Sequence, residues 1–131
     1  MTVIPVLILL SAAVVLGIVL GLQYLRRERS KPALIGFHLL LGAGGLEVLA
    51  MLLHGTPDRR ILPSGGQLTA AAALVMAAMF SGLIAPMIGR QSRRTMNVAL
   101  VIHTLIGLTS VVLLLAWVAQ RQAALRGRLP L

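Results

Sequence analysis

The amino-acid sequence predicts an all-α fold: a membrane four-helix up-down bundle built from two tandem helical hairpins, forming a single domain over residues 1–131. Three observations carry this expectation. The chain is too apolar for a water-soluble globule, with 58% hydrophobic and 11% charged residues, against roughly 25% charged in soluble domains. Four apolar runs stand apart, at residues 3–25, 33–54, 67–89 and 96–119. The segments between them are short and carry the turn residues and most of the charge. Each run rises roughly 33–36 Å as a helix, enough to cross a hydrocarbon core of about 30 Å with some tilt.

The first run holds Pro5 near its start, where proline is tolerated. It reads as a spanning helix rather than a signal peptide. No basic residue precedes it, and Arg26, Arg27, Arg29 and Lys31 follow it as a stop-transfer cluster. The second run is reached through the short segment 26–32. The connection 55–66 to the third run carries Gly55, Pro57, Pro63, Gly65 and Gly66, all breaker residues. Pro86 predicts a kink or fray near the end of the third run. Residues 90–95 lead into the fourth. Short connections favour antiparallel neighbours, hence the up-down order.

The formal charge of +9 comes from 12 basic and 3 acidic residues. Placement explains it better than nucleic-acid binding does. Arg26, Arg27, Arg29, Lys31, Arg90, Arg93 and Arg94 lie in the first and third connections; Arg59, Arg60, Arg121, Arg126 and Arg128 lie on the other side. The excess in the first group puts those connections in the cytoplasm and both termini outside, in what reads as a bacterial inner membrane. Tyr24 and Trp117 are expected at opposite interfaces. Charge divided between two surfaces, with 3% aromatic residues to stack bases, excludes a nucleic-acid partner. The absence of cysteine removes disulfides, iron–sulfur clusters and thiol catalysis.

Sliding the second half over the first by 65 residues aligns residues 12–53 with 77–118. Gly17 falls on Gly82, Arg29 on Arg94, His38 on His103, Gly42 on Gly107 and Leu49 on Leu114. Compositional coincidence is one reading; a duplicated two-helix unit is the other, with a pseudo-two-fold axis along the membrane normal. His38 and His103 would then sit at matching depth, roughly 8–10 Å below one end, on helices that can face diagonally. Gly42 and Gly107 follow four residues later, about 40° round the same face. Gly17 and Gly82 come near the same depth on the first and third helices. Two opposed imidazoles with side-chain volume cleared around them suit a planar macrocycle with an axial metal, and haem b with bis-histidine ligation is the natural candidate. Its propionates would reach Arg26, Arg27, Lys31, Arg90, Arg93 and Arg94. Two alternatives stand beside it: histidines that only hydrogen-bond across helices, with glycines such as Gly17 and Gly21 that only allow packing, and a different ligand or ion.

On His38, His103, Gly17, Gly42, Gly82 and Gly107 the sequence resembles the b-type cytochrome membrane bundles. It also resembles a class of small four-helix bacterial membrane proteins with His-(three residues)-Gly repeated twice. The resemblance spans about residues 12–118 and implies haem held between the second and fourth helices. A second haem is not implied, because His54 aligns with Ala119 rather than with another histidine.

Glu47 is the one acidic residue deep in a run, and it faces away from His38. His54 returns to its face. Such residues point to a proton path, a quinone-head contact or a subunit interface, or else to a neutral, hydrogen-bonded carboxyl. Met76 and Met79 read as packing. No phosphate loop, paired carboxylates or Ser/His/Asp set is present, so an electron carrier or subunit is expected rather than a stand-alone enzyme. The leading expectation is one-electron transfer with quinone or a partner subunit, in a chain whose other expected partners are the lipid bilayer and a redox partner or homo-oligomer. The alternatives are a small proton-coupled transporter using Glu47 and a non-catalytic accessory subunit.

Overall fold

The computed structural model describes residues 3–54, 65–89 and 92–126. It holds four helices: α1 (Ile4–Leu25), α2 (Pro32–His54), α3 (Gly65–Gly89) and α4 (Arg93–Arg126), with no strand among the described residues. All four are long and apolar enough to cross a membrane. Helix is the form that pairs nearly every backbone N–H and C=O inside one segment, which is what hydrocarbon demands. Arg90 and the residues Gly55, Pro57, Asp58, Arg59, Arg60, Pro63 and Arg128 lie outside the described residues.

The helix ends follow local chemistry. Pro5 lies in the first turn of α1 and Pro32 opens α2, positions whose N–H groups have no intrahelical acceptor. α1 closes with two reversed bonds, Arg27 N–H to Tyr24 O at 3.1 Å and Glu28 N–H to Gln23 O at 2.9 Å. That closure needs a left-handed residue, and Arg27 supplies it with φ 60°, where glycine is the usual occupant. Ser92 caps α4, its Oγ accepting from Thr95 N–H at 3.1 Å. The cap is why α4 starts at Arg93, three residues before the apolar run. The helix then continues past residue 119 to Arg126, since that segment holds helix-favouring Gln, Arg, Ala and Leu and no Gly or Pro. α3 begins at Gly65 and runs through Pro86 to Gly89, so the proline precedes the helix end by under one turn.

Packing follows the two hairpins. α3 lies closely along α4 and α1 along α2, the α2–α3 seam is looser, and α1 barely touches α4. α2 and α4 are the diagonal partners. The core sits towards the end that carries the chain termini: Val6, Leu10, Leu49, Leu52, Ala71, Val75, Leu114 and Trp117 among others. Burial recurs at the 65-residue spacing. Val6 pairs with Ala71, Leu10 with Val75, Ala13 with Ala78, Leu49 with Leu114 and Leu52 with Trp117, every one of them buried. Gly45 and Ser110 continue the series. At Gly45 a Cβ would meet the Leu10 side chain at 2.5 Å, so glycine there sets how closely α1 approaches α2. Trp117 is 3% exposed and belongs to the core. Its partner outside is Arg121, whose guanidinium lies 5.5 Å from the ring centroid.

Leu49 and Leu114 are fully buried at equivalent places. Leu49→Ala and Leu114→Ala should each lower stability in detergent by on the order of 2 kcal/mol, mostly the cost of the cavity. Truncating Leu105, which is 59% exposed, should change it by less than about 0.5 kcal/mol. Reversible unfolding of the three variants checks this.

Candidate functional site

The middle of the bundle, on the side of the 26–31 loop, is organised by two imidazoles. His38 on α2 reaches back to α1, its Nδ1 lying 2.9 Å from Ala13 O. His103 on α4 does the same to α3, its Nδ1 lying 2.8 Å from Ala78 O. A carbonyl only accepts, so in both rings Nδ1 carries the proton and donates. Nε2 is left with its lone pair, and no hydrogen bond to either Nε2 is made among the described residues. This is the tautomer in which imidazole binds a metal: one nitrogen anchored to a carbonyl, the other free to ligate.

The carbonyls are available because of glycine. Ala13 and Ala78 each come four residues before a glycine, Gly17 and Gly82. A Cβ built on Gly17 would stand 3.0 Å from His38 Cε1, and one on Gly82 2.9 Å from His103 Cε1. Gly17 and Gly82 are therefore the seats of the histidine rings. Gly42 and Gly107 differ: a Cβ on either would meet nothing within 4 Å. Open volume lies beside both, one turn from each histidine. Gly21 also faces open space, so the Gly17–Gly21 pair does not pack two helices together within the chain.

Across the bundle the ring centroids of His38 and His103 are 6.0 Å apart, with their planes at 73°. Two imidazoles on one metal, with bonds of about 2 Å, would place their centres roughly 6 Å apart. The separation falls in the range of two imidazoles on one metal and also in that of an edge-to-face ring pair. Both residues are half-buried. No group of three or more His, Asp or Glu that could hold a metal ion occurs among the described residues. Two protein ligands are too few for a structural zinc, whereas a macrocycle brings its own equatorial donors.

The chain matches no protein-family model, no curated protein and no solved structure.

Charge borders the histidine layer on the loop side. Arg26, Arg27, Arg29, Lys31, Arg93 and Arg94 are all exposed there. Tyr24 donates to Asn97 Oδ1 at 2.8 Å, a polar tie between α1 and α4 across the seam where they hardly touch. Glu47 and His54 lie elsewhere, at a groove of about 430 Å³ between α2 and α3 that also takes in Met76 and Met79. Both are exposed. His54 is held locally, its Nδ1 donating to Ala50 O at 2.8 Å. The two methionines thus flank an open groove rather than fill a core.

Sequence reasoning missed Ala13, Ala78 and Ser81, the last of which lies 3.2 Å from His103 Nδ1. Ala13 and Ala78 act through backbone oxygens, which residue types do not advertise. Their one visible signal is their coincidence at the 65-residue spacing.

The ring seats are testable without any ligand. Gly17→Ala and Gly82→Ala should displace the imidazoles from their carbonyls and cost about 1–3 kcal/mol through overpacking. Gly42→Ala and Gly107→Ala should leave ligand-free stability unchanged. Nitrogen-15 spectra of the histidines report the tautomer, and denaturation reports the energy.

Proposed function

We propose that the chain is an integral membrane haem-b protein for one-electron transfer, with His38 and His103 as the two axial ligands. The observation that carries this reading is the pair of matched imidazoles: both rings give Nδ1–H to a carbonyl and keep Nε2 free of a hydrogen bond, with their centroids 6.0 Å apart. The open space beside Gly42 and Gly107 supports the same reading.

The residues present fit the group. Gly42 and Gly107 would leave room for the macrocycle, and Arg94 with its neighbours in the exposed basic cluster would pair with the propionates. Arg90 is offered for that role from the sequence alone. When bound, haem supplies a one-electron redox change at iron. The protein's own share is to hold both imidazoles in the ligating tautomer, to keep the centre inside low-dielectric packing, and to place cations where the carboxylates emerge. Quinone or a partner subunit would supply and take the electron, and a homo-oligomer is compatible with the exposed apolar surface. The excess of basic residues at the α1–α2 and α3–α4 connections supports a cytoplasmic placement of that end, with both termini outside.

The deciding experiment is a reduced-minus-oxidised absorption spectrum of protein made with ample haem. A low-spin b-type spectrum is expected, lost in His38→Ala and in His103→Ala. Gly42→Ala and Gly107→Ala should lower haem content at least several-fold while leaving the apoprotein folded. A colourless wild-type protein would sink the reading.

A second reading rests on Glu47, whose side chain borders the lipid-facing groove with no hydrogen bond or ion pair among the described residues. An intramembrane carboxyl in such a place suits proton coupling. Glu47→Gln should leave the spectrum untouched. Loss of proton-coupled transport in that variant, with colour retained, would favour this second reading.

A further inference from the structure

The equivalence of the two halves fails at one position beside the histidines. Residue 81 on α3 is serine, and the residue 65 positions earlier on α1 is Leu16. Ser81 Oγ donates to Ala78 O at 2.8 Å. The same carbonyl accepts from His103 Nδ1, also at 2.8 Å. Ser81 Oγ itself lies 3.2 Å from that nitrogen. Beyond the helix's own N–H, one carbonyl oxygen thus serves two side-chain donors at His103, while Ala13 O serves His38 without a neighbouring hydroxyl.

The electronic consequence follows from the shared acceptor. The more completely an imidazole gives away its Nδ1 proton, the more basic its Nε2 becomes towards a metal. Each donor draws electron density from the same oxygen, so a carbonyl already holding a hydroxyl proton accepts a second donor less strongly. Contact with the Oγ lone pair is longer, at 3.2 Å, and compensates only in part. We infer that Ser81 is a positioning residue that makes the two ligating imidazoles unequal, with His103 the weaker electron donor of the pair. This rests on the haem reading for its function, though the inequality belongs to the protein alone. At an iron centre a weaker donor favours the reduced state, so with haem bound Ser81 would set the potential above that of a symmetric site.

The inference is tested first without haem. In the ligand-free protein, Ser81→Ala should move the His103 Nδ1 proton resonance downfield, as its bond to Ala78 O strengthens, and leave the His38 resonance in place. Leu16→Ser should move the His38 resonance upfield instead. Ser81→Thr, which keeps the hydroxyl, should match the wild type. In haem-loaded protein, Ser81→Ala should lower the midpoint potential and Leu16→Ser should raise it. A His103 resonance that stays put or moves upfield in Ser81→Ala overturns the inference, even if stability changes. Failure of the wild type to take up haem would count against the haem reading, and the ligand-free resonances would still decide the role of Ser81.

Discussion

The hydrogen bond from each histidine to a carbonyl on the neighbouring helix is the interaction on which the rest of the structure turns. In hydrocarbon, packing against lipid and packing against another helix are nearly equal in apolar terms, so association depends on close approach and on polar groups that find partners. The His38–Ala13 and His103–Ala78 bonds supply the second condition and Gly17 and Gly82 the first. Neither works alone. A side chain at Gly17 or Gly82 would hold the ring off its carbonyl, and without the ring the glycine would leave a gap. The result is two hairpins, each tied by an imidazole, with the two rings 6.0 Å apart.

Much of this was legible in the sequence because a membrane restricts the alternatives. The four spans follow from run length, and α1 and α2 lie within a residue of the expected limits. Matching His38 to His103, and Gly17 to Gly82, needed only the 65-residue offset. What stayed hidden has physical reasons. The full length of α4 depends on helix propensity and a serine cap, neither of which enters a hydropathy argument. Trp117 is amphipathic, and residue type alone does not say whether such a ring turns outward or inward. The work of Gly17 and of Gly42 looks identical on paper. One bears a ring and the other faces open space, and the difference depends on how the helices are rotated.

Departures from the two-fold pattern are as informative as the pattern. The core repeats faithfully, with Leu49 on Leu114 and Leu52 on Trp117, so the halves are held to the same packing. Ser81, Glu47 and His54 have apolar counterparts in Leu16, Val112 and Ala119. One of these lies in the histidine layer and two lie at the lipid-facing groove between α2 and α3. A symmetric frame therefore carries an asymmetric set of polar groups, in the centre and along one seam.

The uneven seams also fix how the molecule would come apart. Within each hairpin the helices are in closer contact and tied by a histidine, while between hairpins α2 and α3 meet loosely and α1 and α4 hardly at all. Local opening follows the boundary with the fewest packed groups. The hairpins are thus two cooperative units hinged along the α2–α3 side, and the α1–α4 side, tied by Tyr24 and Asn97, is the leaf that lifts first.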